Sequence, residues 1–574
     1  MNPPTGQSGL LRTRRFLPLF VTQFMGALND NVVKNALVVL LTFHAAEWTT
    51  LLPAVLANLA AGIFILPFFL FSATAGQLAD KFDKAKLARL VKLLEVVIIL
   101  IIGGGFALHS VPILFAALFL LGLHSTLFGP IKYAILPQHL HEEELVGGNA
   151  LIEAGTFVAI LCGTLLGGLL AGSGDLGSIT LVGVLIAVTG YLASRAIPSA
   201  APPEPSLRIN PHFLGETWKT LQLLQGNRAL FLSILGISWF WLYGALFLAQ
   251  FPAYARHVLG GGESAVTLLL ATFTVGISLG SLLCERLSAG RVELGLVPFG
   301  SIGLTLFGLD FAVHSLSMSG AALPQGITVL LAQPAIWRIL VDLLLLGAFG
   351  GFFIVPLYAL VQQRSEVSHR ARIIAANNIY NALFMVVGAM AAAAMLGNGL
   401  SIPALFATAA LCNAAVAVYI YGLLPEFLLR FVVWLLLHSL VRLRTHGLEK
   451  IPESGPLLLV CAPLTSIDAL IVMGACRRPI RFVVGGEMRL GWLTSFVFTA
   501  SGAIRHDPPP ADGAFSEATL ANIQGALAAG AVVGGPSALG NEPSLANLPR
   551  IDLTLEGERR FFSSLTLSVV HPPP

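Results

Sequence analysis

Charge is scarce in this chain: 11% of its residues are Asp, Glu, Lys or Arg, less than half of the roughly 25% usual in a soluble domain. So few ionic groups cannot cover a water-facing surface, and a mean hydropathy of +0.82 excludes one equally. Cysteine is sparse as well. Cys162, Cys284, Cys412, Cys461 and Cys476 have the spacing neither of a disulfide framework nor of a metal site, so thiols are expected and no metal or cofactor. Neither sign of charge dominates. A net charge of +3 with no basic arm argues against a nucleic-acid partner. Period-two alternation is missing too, which argues against a membrane barrel. The short basic stretch 1–15 is followed by an apolar run without a small-residue cleavage site, so a retained first helix is expected rather than a cleaved leader.

What the chain has is long apolar runs. The run 87–106 is interrupted only by Arg89, Lys92 and Glu95 in its first half, and about 20 such residues cross a bilayer as helix. Helices are the conformation that satisfies its own backbone there. The spans expected are 17–43, 52–78, 87–108, 110–130, 149–173 and 176–198, then 229–256, 264–287, 293–316, 338–362, 374–397 and 401–424. They form two bundles of six, 1–198 and 228–424, joined by a proline-rich linker at 199–227 with a surface helix over 213–224. A further surface helix is expected within 317–337. Lys and Arg occupy alternate loops: Arg12, Arg14 and Arg15; Lys81, Lys84, Lys86 and Arg89; Lys132; Arg195, Arg208, Lys219 and Arg228; Arg286 and Arg291; Arg364, Arg370 and Arg372. Arg256 is the main exception, and the positive-inside rule puts both termini in the cytoplasm.

The two halves are weakly alike. The surroundings of Tyr133 resemble those of Tyr358, those of Asn149 resemble those of Asn377, and Gly26-Ala-Leu28 echoes Gly244-Ala-Leu246. Such duplication places a substrate site near the midplane between the halves. Three polar constellations stand out. Between spans two and three lie Gly76, Asp80, Lys81 and Lys84, with a degenerate counterpart at Gly280, Glu285 and Arg286. The glycine permits close helix approach, and Asp80 suits the N-terminus of a facing helix or a neighbouring Arg, so a gating latch is expected; a merely positive loop is the plainer alternative. Span one carries Gln23, Asn29, Asp30, Asn31, Lys34 and Asn35, with Asp30 and Lys34 sharing a helix face. Ionisable groups inside a membrane usually face a cavity or each other, so this face reads as a substrate wall or as a self-neutralising pair. Asn149 and Glu153 in span five stand with Asn377, Tyr380 and Asn381 of span eleven as the rest of the pathway; Glu153 could equally be a helix-end carboxylate. His124, Trp239, Trp241 and Tyr243 read as packing or interface residues.

The loop at 76–86 resembles the signature of the major facilitator superfamily, and residues 128–157, 23–35 and 280–298 resemble the bacterial lysophospholipid transporter family. The resemblance covers about residues 15–424 and implies an all-α, polytopic, twelve-helix (6+6) bundle. It also implies flipping of lysophosphatidylethanolamine or lysophosphatidylglycerol across the inner membrane, with membrane lipids as surroundings. In such relatives a glycerophospholipid acyltransferase follows the bundle. Here the stretch 425–440 reads as a membrane-surface connector, and 441–574 as a small cytoplasmic α/β acyltransferase-like remnant with strands at 457–460 and 480–484 and a poorly defined end, rich in Pro, Ala, Gly and Ser, past Asp507. That enzyme family carries a His five residues before an Asp. Asp468 is present, but Pro463 occupies the position of the base, and Gly535, Pro536, Ser537 and Ala538 stand where a phosphate motif should be. Proline has no proton to exchange, so no acyltransferase activity is expected, and His506 reads as a surface-loop residue. A separate acyltransferase is an implied partner. The alternatives are a bifunctional transporter and acyltransferase, or an exporter of another amphiphile.

Overall fold

Each long apolar run closes its backbone on itself as an α-helix, leaving few amides to seek partners elsewhere. A computed structural model describes residues 6–43, 48–49, 53–224, 226–288, 292–318, 327–423, 435, 441–448, 451–452, 455–461, 465–476, 478, 480–485, 495, 498–499, 501–506, 515–556 and 563–571. Pro463 and almost all of the 425–440 connector lie outside the described residues, as does 319–326. Two units divide the chain, Met1–Ala417 and Val418–Pro574.

The first unit holds α1 (Leu17–Phe43), α2 (Pro53–Lys81), α3 (Lys84–Ala107), α4 (Val111–His139), α5 (Leu145–Gly172) and α6 (Leu176–Arg195). After the linker come α7 (Arg228–His257), α8 (Glu263–Ser288), α9 (Leu296–Met318), α10 (Pro334–Arg364), α11 (Arg370–Gly397) and α12 (Ile402–Leu423), the last running past the unit boundary. Among the described residues these twelve are long and apolar enough to cross a membrane. Local chemistry sets several starts: Asp83 accepts from the Lys86 amide at 3.0 Å and Asn227 from the Leu230 amide at 3.1 Å, both as N-caps. The linker carries a helix at Phe213–Gln222, and the 317–337 stretch contributes a short one at Ile327–Leu331.

Several boundaries shift by up to four residues from the sequence expectation, and one differs by more. Span four was expected to end at 130, yet α4 continues through Pro130 and Pro137 to His139. A proline deletes one N–H from the ladder, whereas unwinding the helix in apolar surroundings would free many more groups. In the second bundle α8 and α10 touch backbone to backbone. A Cβ on Gly276 or Gly280 would strike the carbonyls of Leu344 and Ala348, and one on Gly347 would come within 2.6 Å of the Phe273 carbonyl.

The second unit is a seven-stranded mixed sheet in the order β1-β7-β6-β2-β5-β3-β4. Its strands are β1 (Val441–His446), β2 (Leu457–Cys461), β3 (Ile480–Val484), β4 (Ile504–Arg505), β5 (Val532–Gly535), β6 (Arg550–Glu556) and β7 (Ser563–His571). β2 pairs in parallel with both β5 and β6, and β6 pairs antiparallel with β7. Alternation sends Leu457 and Leu459 to the face covered by α13 (Ser466–Ala475), and Leu458 and Val460 to the face covered by α14 (Glu517–Ala528). Both faces being covered explains why β2 is apolar throughout. Beyond Asp507, where composition suggested a poorly defined end, lie α14, a short helix at Ser537–Gly540 and the strands β5, β6 and β7.

The α8–α10 contact is testable. Overpacking such a site costs about 1–3 kcal/mol, so Gly280→Val should lower both membrane abundance and the melting temperature of the detergent-purified protein by several degrees. Gly168→Val, where a Cβ meets nothing within 4 Å, should change neither.

Candidate functional site

Four charged or titratable side chains meet inside the first bundle, away from water. Glu95 on α3 is fully buried and takes Lys92 Nζ at 2.6 Å, Asn29 Nδ2 at 2.8 Å and the His124 ring at 3.3 Å. Lys92 reaches this position because Gly26 has no side chain: a Cβ there would collide with the ammonium. The ammonium also lies 5.3 Å from the centre of the Phe128 ring. A buried ion is tolerable only when matched and hydrogen-bonded, and Glu95 is matched from three helices.

Asp30 is the outermost carboxylate of the group, 14% exposed. Its Oδ2 accepts from Ser125 Oγ at 2.5 Å, and its Oδ1 lies 3.9 Å from His124 Nδ1. Lys34 is partnered separately. It donates to Asn31 Oδ1 at 3.1 Å and lies 5.5 Å from the Phe64 ring centre. Asn31 and Asn35 satisfy their amides by donating to carbonyls one turn back, Ala27 and Asn31, each at 2.8 Å. Sequence reasoning passed over Lys92 and Glu95 and took His124 for a packing residue. The available signal was an opposite-charge pair at i,i+3 more than a turn inside an apolar run.

A second cluster lies where the bundles meet. Tyr133 of α4 stacks on Tyr358 of α10 at 4.3 Å and donates to buried Glu153 at 2.5 Å. Trp241 of α7 donates to the Tyr358 hydroxyl at 3.0 Å. Asn377 is buried beside Tyr358. Asn149 pairs with Gln362 of α10 through reciprocal amide bonds of 2.7 and 3.0 Å. Asn381 instead accepts from Ser238 at 2.8 Å, and Tyr380 meets the Phe231 ring edge-on at 6.0 Å, so both join α11 to α7 within the second bundle.

The third cluster lies at the end bearing the Lys- and Arg-rich loops. Asp80 is fully buried against the N-terminus of α11, accepting from the backbone of Ala371 at 3.1 Å and Arg372 at 3.3 Å, and from Arg372 Nε at 3.1 Å. Both attractions expected of it, helix dipole and guanidinium, act together. Gly76 makes room, since a Cβ would come within 2.8 Å of Arg372 Cα. The linker adds a strap, which the sequence did not suggest. Glu204 takes Arg372 Nη2 at 2.5 Å, Asn210 donates its backbone N–H to Gln77 at 2.8 Å, and Ser199 donates to Asp83 at 2.5 Å. Burial pushes the Asp83 carboxyl up, but hydrogen bonds from Ser199 and the Lys86 and Ala200 backbone outweigh it, so its pKa lies below the usual aspartate value. Its hold on the strap is therefore complete above that usual value and fades as pH falls through the folded one. Lys81 lies 5.7 Å from the Phe82 ring centre, and Lys84 is buried at the start of α3. On the related side Glu285 approaches the start of α5, where a Cβ on Gly147 would lie 3.0 Å from its carboxylate, and accepts from the Gln7 amide at 3.1 Å. Arg286 follows it in the last turn of α8. Among the described residues, the side-chain hydrogen bonds joining the bundles lie toward this end.

Two six-helix bundles meet at one end through Asp80 and Arg372, and the sequence profile described as Major Facilitator Superfamily matches residues 19–336. The chain belongs to the Major Facilitator Superfamily. It is thereby a multi-pass membrane protein. Within that superfamily it is similar to the lysophospholipid transporter LplT of Cronobacter sakazakii, 30% identical over 64% of this chain and 85% of that protein. LplT of Klebsiella pneumoniae (strain 342) is 29% identical over 70% of this chain and 95% of its own. Among solved structures, the human organic anion transporter MFSD10 (TETRAN) superposes with a TM-score of 0.56 at 14% identity, over 70% of this chain and 99% of that one. A bacterial homologue of the iron transporter ferroportin in its outward-facing state gives 0.51 at 16% identity, over 72% and 99%. These two likenesses concern the fold alone.

Outside the superfamily region, Asp468 caps its own helix. It accepts from the Thr465 amide at 2.9 Å and hydroxyl at 2.7 Å, a capping-box role. A cleft of about 430 Å³ opens at the ends of β3 and β4, lined by Arg481, Ser495, Thr499, Arg505 and Asn522 among others.

Breaking a buried ion pair by removing one partner costs about 3–5 kcal/mol. Asp80→Asn should therefore lower thermal stability and speed alkylation of a cysteine placed at buried Ala375 several-fold. Glu204→Gln, which removes only the more exposed partner, should give a smaller change in the same direction. Equal alkylation rates in all three proteins would dismiss the latch.

Proposed function

We propose that the chain is a secondary transporter that moves lysophospholipids, lysophosphatidylethanolamine and lysophosphatidylglycerol, across the bacterial inner membrane by alternating access. The observation that carries this reading is the likeness to LplT proteins along most of the twelve-helix part. The polar face of α1 suits the substrate. Asp30 offers a half-buried carboxylate to an ammonium headgroup, and Lys34 a cation to the phosphate. Asn149, Glu153, Asn377, Tyr380 and Asn381 belong to the moving interface between and within the bundles. Asp80, Arg372 and Glu204 hold one end shut, and their release opens it. With both termini cytoplasmic, that end faces the cytoplasm.

The second unit, a layered α/β sheet, is read as an acyltransferase-like remnant that is not an enzyme. Pro463 stands where the base belongs, and Asp468 is spent on its helix cap. A separate acyltransferase acting on the delivered lipid is the partner this implies. A bifunctional chain is the alternative, and it would need a base from elsewhere than position 463.

Uptake of labelled lysophosphatidylethanolamine into spheroplasts tests the reading. The full chain and a chain cut after Leu440 should both take it up, and Asp30→Asn at equal abundance should lose at least about tenfold of the rate, the effect of about 1.4 kcal/mol. A verified, inserted full chain without uptake rejects the lipid assignment. Separately, purified protein given lysophospholipid and an acyl donor should form no diacyl product; product formation would restore the bifunctional alternative.

A further inference from the structure

His124 is 2% exposed, yet it stands between two carboxylates: Nε2 lies 3.3 Å from Glu95 and Nδ1 3.9 Å from Asp30. A neutral imidazole has one N–H, so it serves one of these carboxylates and turns a lone pair towards the other. With a second proton it serves both. The rest of the neighbourhood leaves room for that proton. α3 contributes Lys92, whose ammonium is bound to Glu95 at 2.6 Å. α1 contributes Asn29, which donates to Glu95, and Lys34, which is turned to Asn31 and Phe64. α4 contributes Ser125, which donates to Asp30 Oδ2, and Phe128, stacked on the His124 ring at 6.5 Å. α6 presents Gly183 to Asn29 and Gly190 to Lys92. In contact with the two carboxylates is one ammonium, Lys92, with Lys34 one turn further along α1 from Asp30, and Asp30 Oδ1 is buried with no hydrogen-bond partner.

We infer that His124, bridging Glu95 and Asp30, is a proton-binding site whose proton competes with a cationic headgroup for Asp30. The inference rests on the proposed role of Asp30 toward an ammonium-bearing lysophospholipid. Glu95, Lys92 and His124 are at most 2% exposed, whereas Asp30 keeps 14% of its side-chain surface. An ammonium arriving at Asp30 supplies the positive charge that the second proton on His124 otherwise supplies. Each ligand therefore weakens the other, and the coupling is reciprocal. A headgroup without an ammonium brings no such charge and does not displace the proton.

The test compares two lipids, using full-length protein in proteoliposomes at about pH 6 and about pH 8. The KM for lysophosphatidylethanolamine should fall about three- to tenfold from the lower to the higher pH, within what one competing proton allows. That for lysophosphatidylglycerol, which lacks the ammonium, should not fall. In His124→Gln the lysophosphatidylethanolamine KM should be the same at both values. Should that variant not insert, the wild type still decides: lysophosphatidylethanolamine added to purified protein in weak buffer near pH 6.5 should release protons, and lysophosphatidylglycerol should release none. A KM that ignores pH, equal pH dependence for both lipids, or no proton release overturns the inference while leaving lipid transport standing. Absence of uptake of either lipid at any pH removes the transport reading first and this inference with it.

Discussion

Glu95 is a carboxylate placed where water does not reach, and the first bundle is arranged around satisfying it. Lys92 gets to it through space that Gly26 leaves empty, Asn29 comes from the neighbouring helix, and His124 from a third. The cost of leaving any of these groups unmatched in a low-dielectric interior is far greater than the few kcal/mol that separate folded from unfolded. The relative positions of α1, α3 and α4 follow from that demand. So does the position of Asp30, which is tied to the same network at its edge and keeps 14% of its side-chain surface exposed.

The meeting of the two bundles follows the internal duplication. Tyr133 and Tyr358, which occupy matching places in the two halves, stack directly on each other at 4.3 Å. Asp80 lies at the start of α11, and Glu285, its counterpart, lies near the start of α5. The two copies have diverged in strength. Asp80 holds two backbone amides and a guanidinium, and Glu204 of the linker holds the same guanidinium. Glu285 takes the Gln7 amide. The two copies of the unit thus carry one heavily bonded acidic side chain and one lightly bonded one at the same end of the bundles.

Several features were legible without coordinates. Twelve spans, the linker with its helix near residue 213, the polar face of α1 and the attraction of Asp80 for a helix start all follow from runs, charges and spacing along the chain. Others were not. Asp30 and Lys34 share a helix face, which suggests a pair, yet each found partners elsewhere, Asp30 across on α4 and Lys34 on Asn31 of its own helix. Lys92 and Glu95 looked like the polar beginning of a span. Past Asp507, a composition rich in Pro, Gly, Ala and Ser hid strands whose partners lie far away in sequence: β6 pairs with β2 and β7 with β1.

The division has a physical cause. The length of an apolar run and the sign of a loop's charge are sums over neighbours in sequence, so the chain by itself determined that it crosses a membrane about twelve times as two related halves. Counter-charge matching and strand pairing depend on distances between residues tens to hundreds of positions apart. Only the tertiary structure decided that Glu95, Lys92, His124 and Asp30 share one buried site, that Arg372 is divided between Asp80 and Glu204, and that the last strands close the sheet.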